Sequence, residues 1–426
     1  MKSKNILAGC IAALTLAGAA QAATYHVYLT GSTAFRSATN SSLQALYGAP
    51  LAQSNAVLGS ADAALFKKLN YPMAGDTTYV KSTFLGAAGG IQSVAAGSEP
   101  VVANRIKVPF YLDTAAGVLG RPDTLAAANR EDVVPDIALG DTYQGTTPFN
   151  GTQNRNIGTI AAPINVSTTY EDLTPQDFLV GVVTFKYVGS TGFPAGYSMD
   201  QNKAQALFPT GRYPLSLITG AAADKTKIVF ATGRNFDSGT RLATFAENGV
   251  GAASAVKQWK PTIALGVVTN QVLYPVELVN GLSTTPAGNS GEVSGSTLRA
   301  NMICTIPPAI YNDTTKGGKA TATGAYYLTY LGVSDANSVA ASTTSLRWTG
   351  VDFSEPAVQQ GQYTFWSYEH VLYRADSVGT TAETVAQDLI TKLNDVATVV
   401  SPNVKLSDMA VSRGTDGGVV GPDFTF

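Results

Sequence analysis

The chain has 426 residues, 28 of them Lys or Arg and 30 Asp or Glu, so its formal charge is −2 and it lacks the basic excess of a nucleic-acid binder. Charged residues make up 14%, well under the roughly 25% of ordinary soluble domains, while Gly, Ala, Ser and Thr are plentiful. Two cysteines cannot build a disulfide framework, so the fold has to be held by its apolar cores, and the length allows two domains.

Met1-Lys2-Ser3-Lys4, an apolar run from Ile6 to about Leu16, and Ala20-Gln21-Ala22 have the layout of a secretory leader, with cleavage expected after Ala22. Without residues 1–22 the chain keeps 26 basic and 30 acidic residues, a charge of −4, and Cys304 is left without an internal partner. No later apolar run reaches the roughly twenty residues that a membrane-spanning helix needs. A periplasmic or secreted address is therefore expected.

The first strand after the leader is Tyr25-His26-Val27-Tyr28-Leu29, and it runs into Thr30-Gly31-Ser32-Thr33-Ala34-Phe35. Phe35, Ala38, Ser42, Leu43, Leu46 and Tyr47 then mark one face of a helix that Gly48 can end. This is a strand-to-helix corner, with hydroxyls and free backbone N–H groups at the positive end of a helix dipole. A second corner follows the strand Tyr79–Leu85, where Gly86-Ala87-Ala88-Gly89-Gly90-Ile91 opens a short helix; its glycines serve either a ligand or tight helix-to-sheet packing. Residues 98–132 read as a surface excursion. Val133 to Asp141 reads as a strand that brings a carboxylate to a cleft, and residues 142–169 as a long loop.

The apolar run Phe178–Tyr187 is long enough to cross from one lobe to another, with a hinge near residues 188–195. Ser198 and Gln201 have the spacing of a capping box for a helix with Ala204, Leu207 and Phe208 on its apolar face, ended by Pro209. The strand Ile228-Val229-Phe230-Ala231 leads to a third corner, Thr232-Gly233-Arg234-Asn235-Phe236-Asp237-Ser238-Gly239-Thr240-Arg241, before a helix carrying Leu242, Phe245 and Ala246. Ser, Thr and Asp also gather at helix starts simply to cap them. Arg234, four residues ahead of the Ser-Gly-Thr, adds a fixed charge with a two-pronged donor fork, which makes the corner a small oxyanion seat.

Gly324–Gly332 reads as a strand, Tyr363–Tyr373 as a long aromatic strand that returns the chain, and Thr380 with Glu383 as the cap of a last helix whose stripe is Val385, Leu389, Leu393 and Val396. His26 and His370 are the only histidines and both fall inside strands, so neither serves a Gly288-Asn289-Ser290-Gly291 turn as a catalytic base. No His, Cys or carboxylate cluster has metal-ligand spacing, and no cofactor is implied.

Strands alternating with helices, and small-residue corners at strand ends, indicate open α/β sheets with a ligand beyond the carboxyl ends of the strands. The order of the corners resembles the periplasmic phosphate-binding proteins of ABC transport systems, in the type II periplasmic binding protein superfamily. Thr30–Phe35 is similar to that family's first phosphate loop, Gly86–Ile91 to its second, Asp136–Asp141 to the segment ending in its ligand-facing aspartate, and Arg234 with Ser238-Gly239-Thr240 to its Arg-x-x-x-Ser-Gly-Thr anchor. Ala325–Leu328 and Trp348–Val351 resemble later landmarks.

The resemblance implies a two-lobed fold, with residues 23–187 and 363–426 as the first lobe and 188–362 as the second. It implies a non-enzymatic, monomeric solute receptor that takes inorganic phosphate or a related oxyanion and hands it to an ABC permease. The ligand set it implies is Ser32, Thr33, Ala34, Gly89, Asp141, Arg234, Ser238, Gly239 and Thr240. Three features depart from the pattern: Ala87 and Ala88 stand where the second loop commonly has serine, and Phe236 where the anchor has a second acid. The alternative is a secreted phosphate-binding-like protein with a surface, scavenging or phosphatase role not tied to a permease, and two other classes stand beside the receptor. A phosphatase lacks a nucleophile with a base, and an outer-membrane barrel needs about ten alternating residues per strand.

Overall fold

The computed structural model describes residues 22–113, 130–279, 283–284, 286–395 and 402–423. Residues 1–21 of the leader, with Cys10 among them, Val396 and the terminal Phe424-Thr425-Phe426 lie outside the described residues. Ten strands form the frame: β1 Thr24–Gly31, β2 Ala63–Leu69, β3 Thr77–Thr83, β4 Ile137–Gly140, β5 Asp177–Gly189, β6 Arg212–Pro214, β7 Lys227–Ala231, β8 Gly324–Gly332, β9 Thr344–Trp348 and β10 Trp366–Tyr373. Six helices matter to the site and its packing: α1 Arg36–Tyr47, α2 Ala87–Ala95, α3 Gln201–Thr210, α4 Gly239–Glu247, α5 Gly295–Met302 and α6 Thr381–Asn394.

Hydrogen bonding joins the strands in the order β6-β7-β8-β5-β10-β4-β1-β3-β2. The path is really two sheets sharing one strand, because the first half of β5, Asp177–Thr184, pairs with β10 while its second half, Phe185–Gly189, pairs with β8 and β9. A run as apolar as Val180–Val183 suits a strand covered on both faces. The first sheet mixes parallel pairs (β1 with β3 and β4) and antiparallel ones, and the second pairs β7 with β8 in parallel. The fold is thus α/β with two lobes joined by a crossing strand, and the corners after β1, β3, β4 and β7 all fall at carboxyl ends of strands.

The main core runs through the junction. Tyr187 stacks on Phe365 with ring centres 4.9 Å apart, and Trp348, Phe208, Phe245 and Tyr330 continue the aromatic cluster into the second lobe. Each such side chain contributes about 1.5–3 kcal/mol by burial, which makes the junction a stiff support for the loops above it. On the first lobe, Val385, Leu389 and Leu393 of α6 are buried with α1 against the sheet.

Several local expectations are corrected. Residues 151–170 are not a bare loop but an antiparallel hairpin, Gly151–Asn156 with Asn165–Tyr170. The excursion at 98–132 contains the paired strands Val108–Leu112 and Arg130–Val133. Helix α3 is capped by Asp200, whose side chain accepts from Lys203 N at 2.9 Å, and not by Ser198, whose hydroxyl is taken by the backbone around β9. Pro209 lies within the last turn, and the helix ends one residue later at a left-handed Gly211. No helix among the described residues is long and apolar enough to cross a membrane.

Candidate functional site

The corner after β7 is built around two buried arginines. Arg234 donates from Nε to the Glu292 carbonyl (3.2 Å) and from Nη2 to the Val293 carbonyl (3.1 Å) and Thr33 Oγ1 (3.2 Å). The last of these bonds crosses from the second lobe to the first. Burial pushes the Arg234 guanidinium below its ordinary pKa, and the carboxylates of Asp141 and Asp335 work against that shift. Beneath it Arg241 is fully buried, donating to the Arg234 carbonyl (3.0 Å) and Asn289 Oδ1 (2.7 Å), with its pKa lowered to about 10 by burial. Arg241 therefore fixes the backbone from which Arg234 projects.

Ser238 caps α4 by accepting from Arg241 N at 3.2 Å, so its hydroxyl is committed to the helix start. Asp237, the other candidate cap, instead offers its carbonyl to Ala88 N (2.9 Å), which ties the anchor corner to the glycine-rich corner. Thr240 Oγ1 donates to Asp141 Oδ2 at 2.7 Å. Between them Gly239 is required, since a Cβ there would stand 2.1 Å from Asp141 Oδ1. Asp141 is buried, and desolvation raises its pKa while the Thr240 hydroxyl and the Arg234 charge hold it down.

The corner after β1 turns at Gly31, with φ of +132° and a backbone approach to Leu139 that no side chain would allow. Ser32 N donates to the Leu139 carbonyl (2.8 Å), and Ser32 Oγ accepts from Ala34 N (3.2 Å). The structure thus brings Ser32, Thr33, Asp141, Arg234, Ser238, Gly239 and Thr240 to one place, from both lobes. Gly89 lies against the Asp237 side chain. Thr33, Ala34, Arg234 and Thr240 open onto an interlobe cavity of about 570 Å³, while Ser32, Asp141, Ser238 and Gly239 sit behind its wall.

The cavity has a fourth wall that sequence reasoning missed. Helix α5 begins there with Ser294 as its cap (accepting from Thr297 N, 3.2 Å), followed by Gly295 and Ser296, and Arg299 and Asp335 stand beside it. A Cβ on Gly295 would meet Asp335 Oδ2 and come within 3.8 Å of Arg234 Nη1, so charges of both signs converge on this helix start. The signal was present in Ser294-Gly295-Ser296-Thr297, a small-residue helix start like the others, but no apolar strand precedes it. His370 does not line the cavity, and its Nδ1 is hydrogen-bonded with Asp177 Oδ1 at 2.8 Å. No group of three or more His, Cys, Asp or Glu among the described residues could hold a metal ion.

No family profile and no curated protein matches the chain. Among solved structures it is similar to an ABC-type phosphate transport receptor from Vibrio cholerae, with 11% identity and a TM-score of 0.42 over 87% of this chain and 94% of that one. It is also similar to PstS from Borrelia burgdorferi, with 8% identity and a TM-score of 0.35 over 87% of this chain and 93% of that one.

Proposed function

We propose that this protein is a solute receptor that holds a tetrahedral oxyanion between its lobes and performs no chemistry on it. The observation that carries this reading is Arg234, a buried guanidinium bonded to Thr33 across the lobe boundary and facing the starts of α4 and α5. A fixed cation beside helix N-termini suits an anion, and charge-assisted bonds there contribute about 1.5–3 kcal/mol each. Inorganic phosphate is the first candidate, because near neutral pH it keeps a proton that a carboxylate can accept once the anion seats against Thr240, directly behind which Asp141 stands, whereas sulfate and molybdate present only oxygens to it. The leader-like N-terminus supports a periplasmic or secreted place, and the motif resemblance supports a membrane permease of the ABC class as partner.

Competition calorimetry with phosphate, sulfate and molybdate on the protein and on Asp141→Asn tests the reading. Preference for phosphate is expected, relaxed in the variant. Preference for sulfate or molybdate, or binding of no oxyanion, overturns the ligand assignment, and release of phosphate from a phosphoester by the pure protein overturns the non-enzymatic one.

A further inference from the structure

Strand β10 pairs antiparallel with β4 as far as His370 opposite Gly140, so the next residues of the two segments at this end are Glu369 and Asp141, whose charges act on each other. Residues directly opposite in an antiparallel pair project to the same face with Cβ atoms about 4.5–5.5 Å apart, and like charges there repel. On its other side Glu369 faces Gly181 of β5, which has no side chain to offer. Glu369 is 0% exposed, and neither carboxyl oxygen has a hydrogen-bond partner. An ionised carboxylate in such a place costs several kcal/mol, so a proton is the cheaper way to keep it. Two buried carboxyls this close titrate as a pair.

We propose that Glu369 is a second acid of the anion seat, holding a proton at neutral pH so that the Asp141–Glu369 pair carries one negative charge behind the ligand. This rests on the oxyanion reading above. The groups around the pair are the Ser32 hydroxyl from the β1 corner, Thr240 and Arg234 from the anchor corner, and Asp416 of the C-terminal segment, which accepts from Ser367 Oγ at 3.3 Å. Burial, then the charge of Asp141, push Glu369 well above the ordinary glutamate range, while Ser32 opposes the shift. With Glu369 neutral, Asp141 is free to accept a ligand proton; once Glu369 ionises, a second negative charge repels the anion.

Two measurements on Glu369→Gln test this. With inorganic phosphate as the probe, the ratio of wild-type to variant affinity is expected to fall at least tenfold between about pH 6 and about pH 9, the ligand's own titration cancelling in the ratio. Without ligand, a carboxyl whose folded pKa is raised makes the folded state bind more protons than the unfolded one. The wild type should therefore lose stability relative to the variant as pH rises above about 4.3, until the folded pKa is passed. Parallel affinity profiles overturn the role of Glu369 in the seat, and parallel unfolding curves overturn its proton. If wild-type protein binds neither phosphate nor sulfate at any pH, the oxyanion reading falls and the seat role with it. Should Glu369→Gln not fold, Asp141→Asn serves, because removing the opposite charge lets Glu369 ionise at lower pH; an unfolding curve with the wild-type pH dependence then overturns the proposal.

Discussion

The guanidinium of Arg241 lies 4.2 Å from the ring centre of Phe236, the residue that stands where the anchor motif commonly has an acid. The aromatic face thus lies against a fully buried cation, and Phe245 adds a second ring at 5.2 Å. A desolvated cation–ring contact is worth up to about 2 kcal/mol. Phe236→Leu, which keeps apolar volume and removes the ring, is expected to lower unfolding stability by about 1–2 kcal/mol in urea titration. A change no larger than experimental error would show that the stacking carries no stability.

Arg234→Ala is expected to weaken phosphate binding tenfold or more by calorimetry, since at least one charge-assisted bond of about 1.5–3 kcal/mol goes with it. Arg234→Lys separates charge from geometry. A lysine keeps the cation but cannot serve Thr33 and the Glu292 and Val293 carbonyls through a planar fork, so it should recover only part of the loss. Full recovery would mean that charge alone matters.

Local signals made the corners legible. Apolar β-branched runs ending in Gly, Ser and Thr marked β1, β3 and β7, and the unbroken run at Phe178–Tyr187 marked the crossing strand, here Asp177–Gly189. The hairpin at 151–170 was hidden because Gly-Thr-Gln-Asn-Arg-Asn is polar throughout and the inward face of its partner is Val166, Thr168 and Tyr170, whose central threonine blurs the apolar alternation that the burial itself follows. Glu369 was hidden because its neighbours are aromatic and its meaning comes from a residue 228 positions earlier, across a strand pair whose register no local pattern encodes. The same holds for Asp416, which accepts from Thr142 Oγ1 at 2.6 Å and Tyr143 N at 3.0 Å. Arg241 was hidden likewise: its place in the first turn of α4 does not show that its side chain reaches back to the Arg234 carbonyl.

Cys304 is a free thiol, 1% exposed, with burial pushing its pKa up to about 12. The thiolate is the reactive form, so both burial and the low thiolate fraction protect it. Iodoacetamide at about pH 8 should leave the Cys304 peptide unmodified in the native protein and modify it fully after denaturation. Rapid native labelling, read by mass spectrometry, would mean that the core around Ile306, Ile310 and Tyr327 opens readily.

The C-terminal segment is fastened by a buried ion pair, and its removal should be costly. Arg413 Nη1 meets Glu247 Oε2 at 2.8 Å, Nη2 donates to the Thr364 carbonyl at 2.6 Å, and the guanidinium lies 3.8 Å from the Trp366 ring centre. Glu247 is the last residue of α4, so the pair links the C-terminal segment to the helix that Ser238 caps and whose first turn carries Gly239 and Thr240. Arg413→Met leaves Glu247 buried without its cation, although Trp348 Nε1 and Thr364 Oγ1 still donate to it. Breaking one side of such a pair costs about 3–5 kcal/mol, more than the pair itself contributes, because the penalty is the stranded charge. Glu247→Gln in the Arg413→Met background removes that charge and keeps an acceptor for Trp348 and Thr364. The double variant is therefore expected to be more stable than Arg413→Met, with a coupling of about 1–3 kcal/mol in a double-mutant cycle measured by urea unfolding. Additive effects would show that the two side chains do not depend on each other. The Arg413→Met variant should also be cleaved sooner by trypsin near Lys405, since Val404 then holds the segment to Val182 with less support from beyond it.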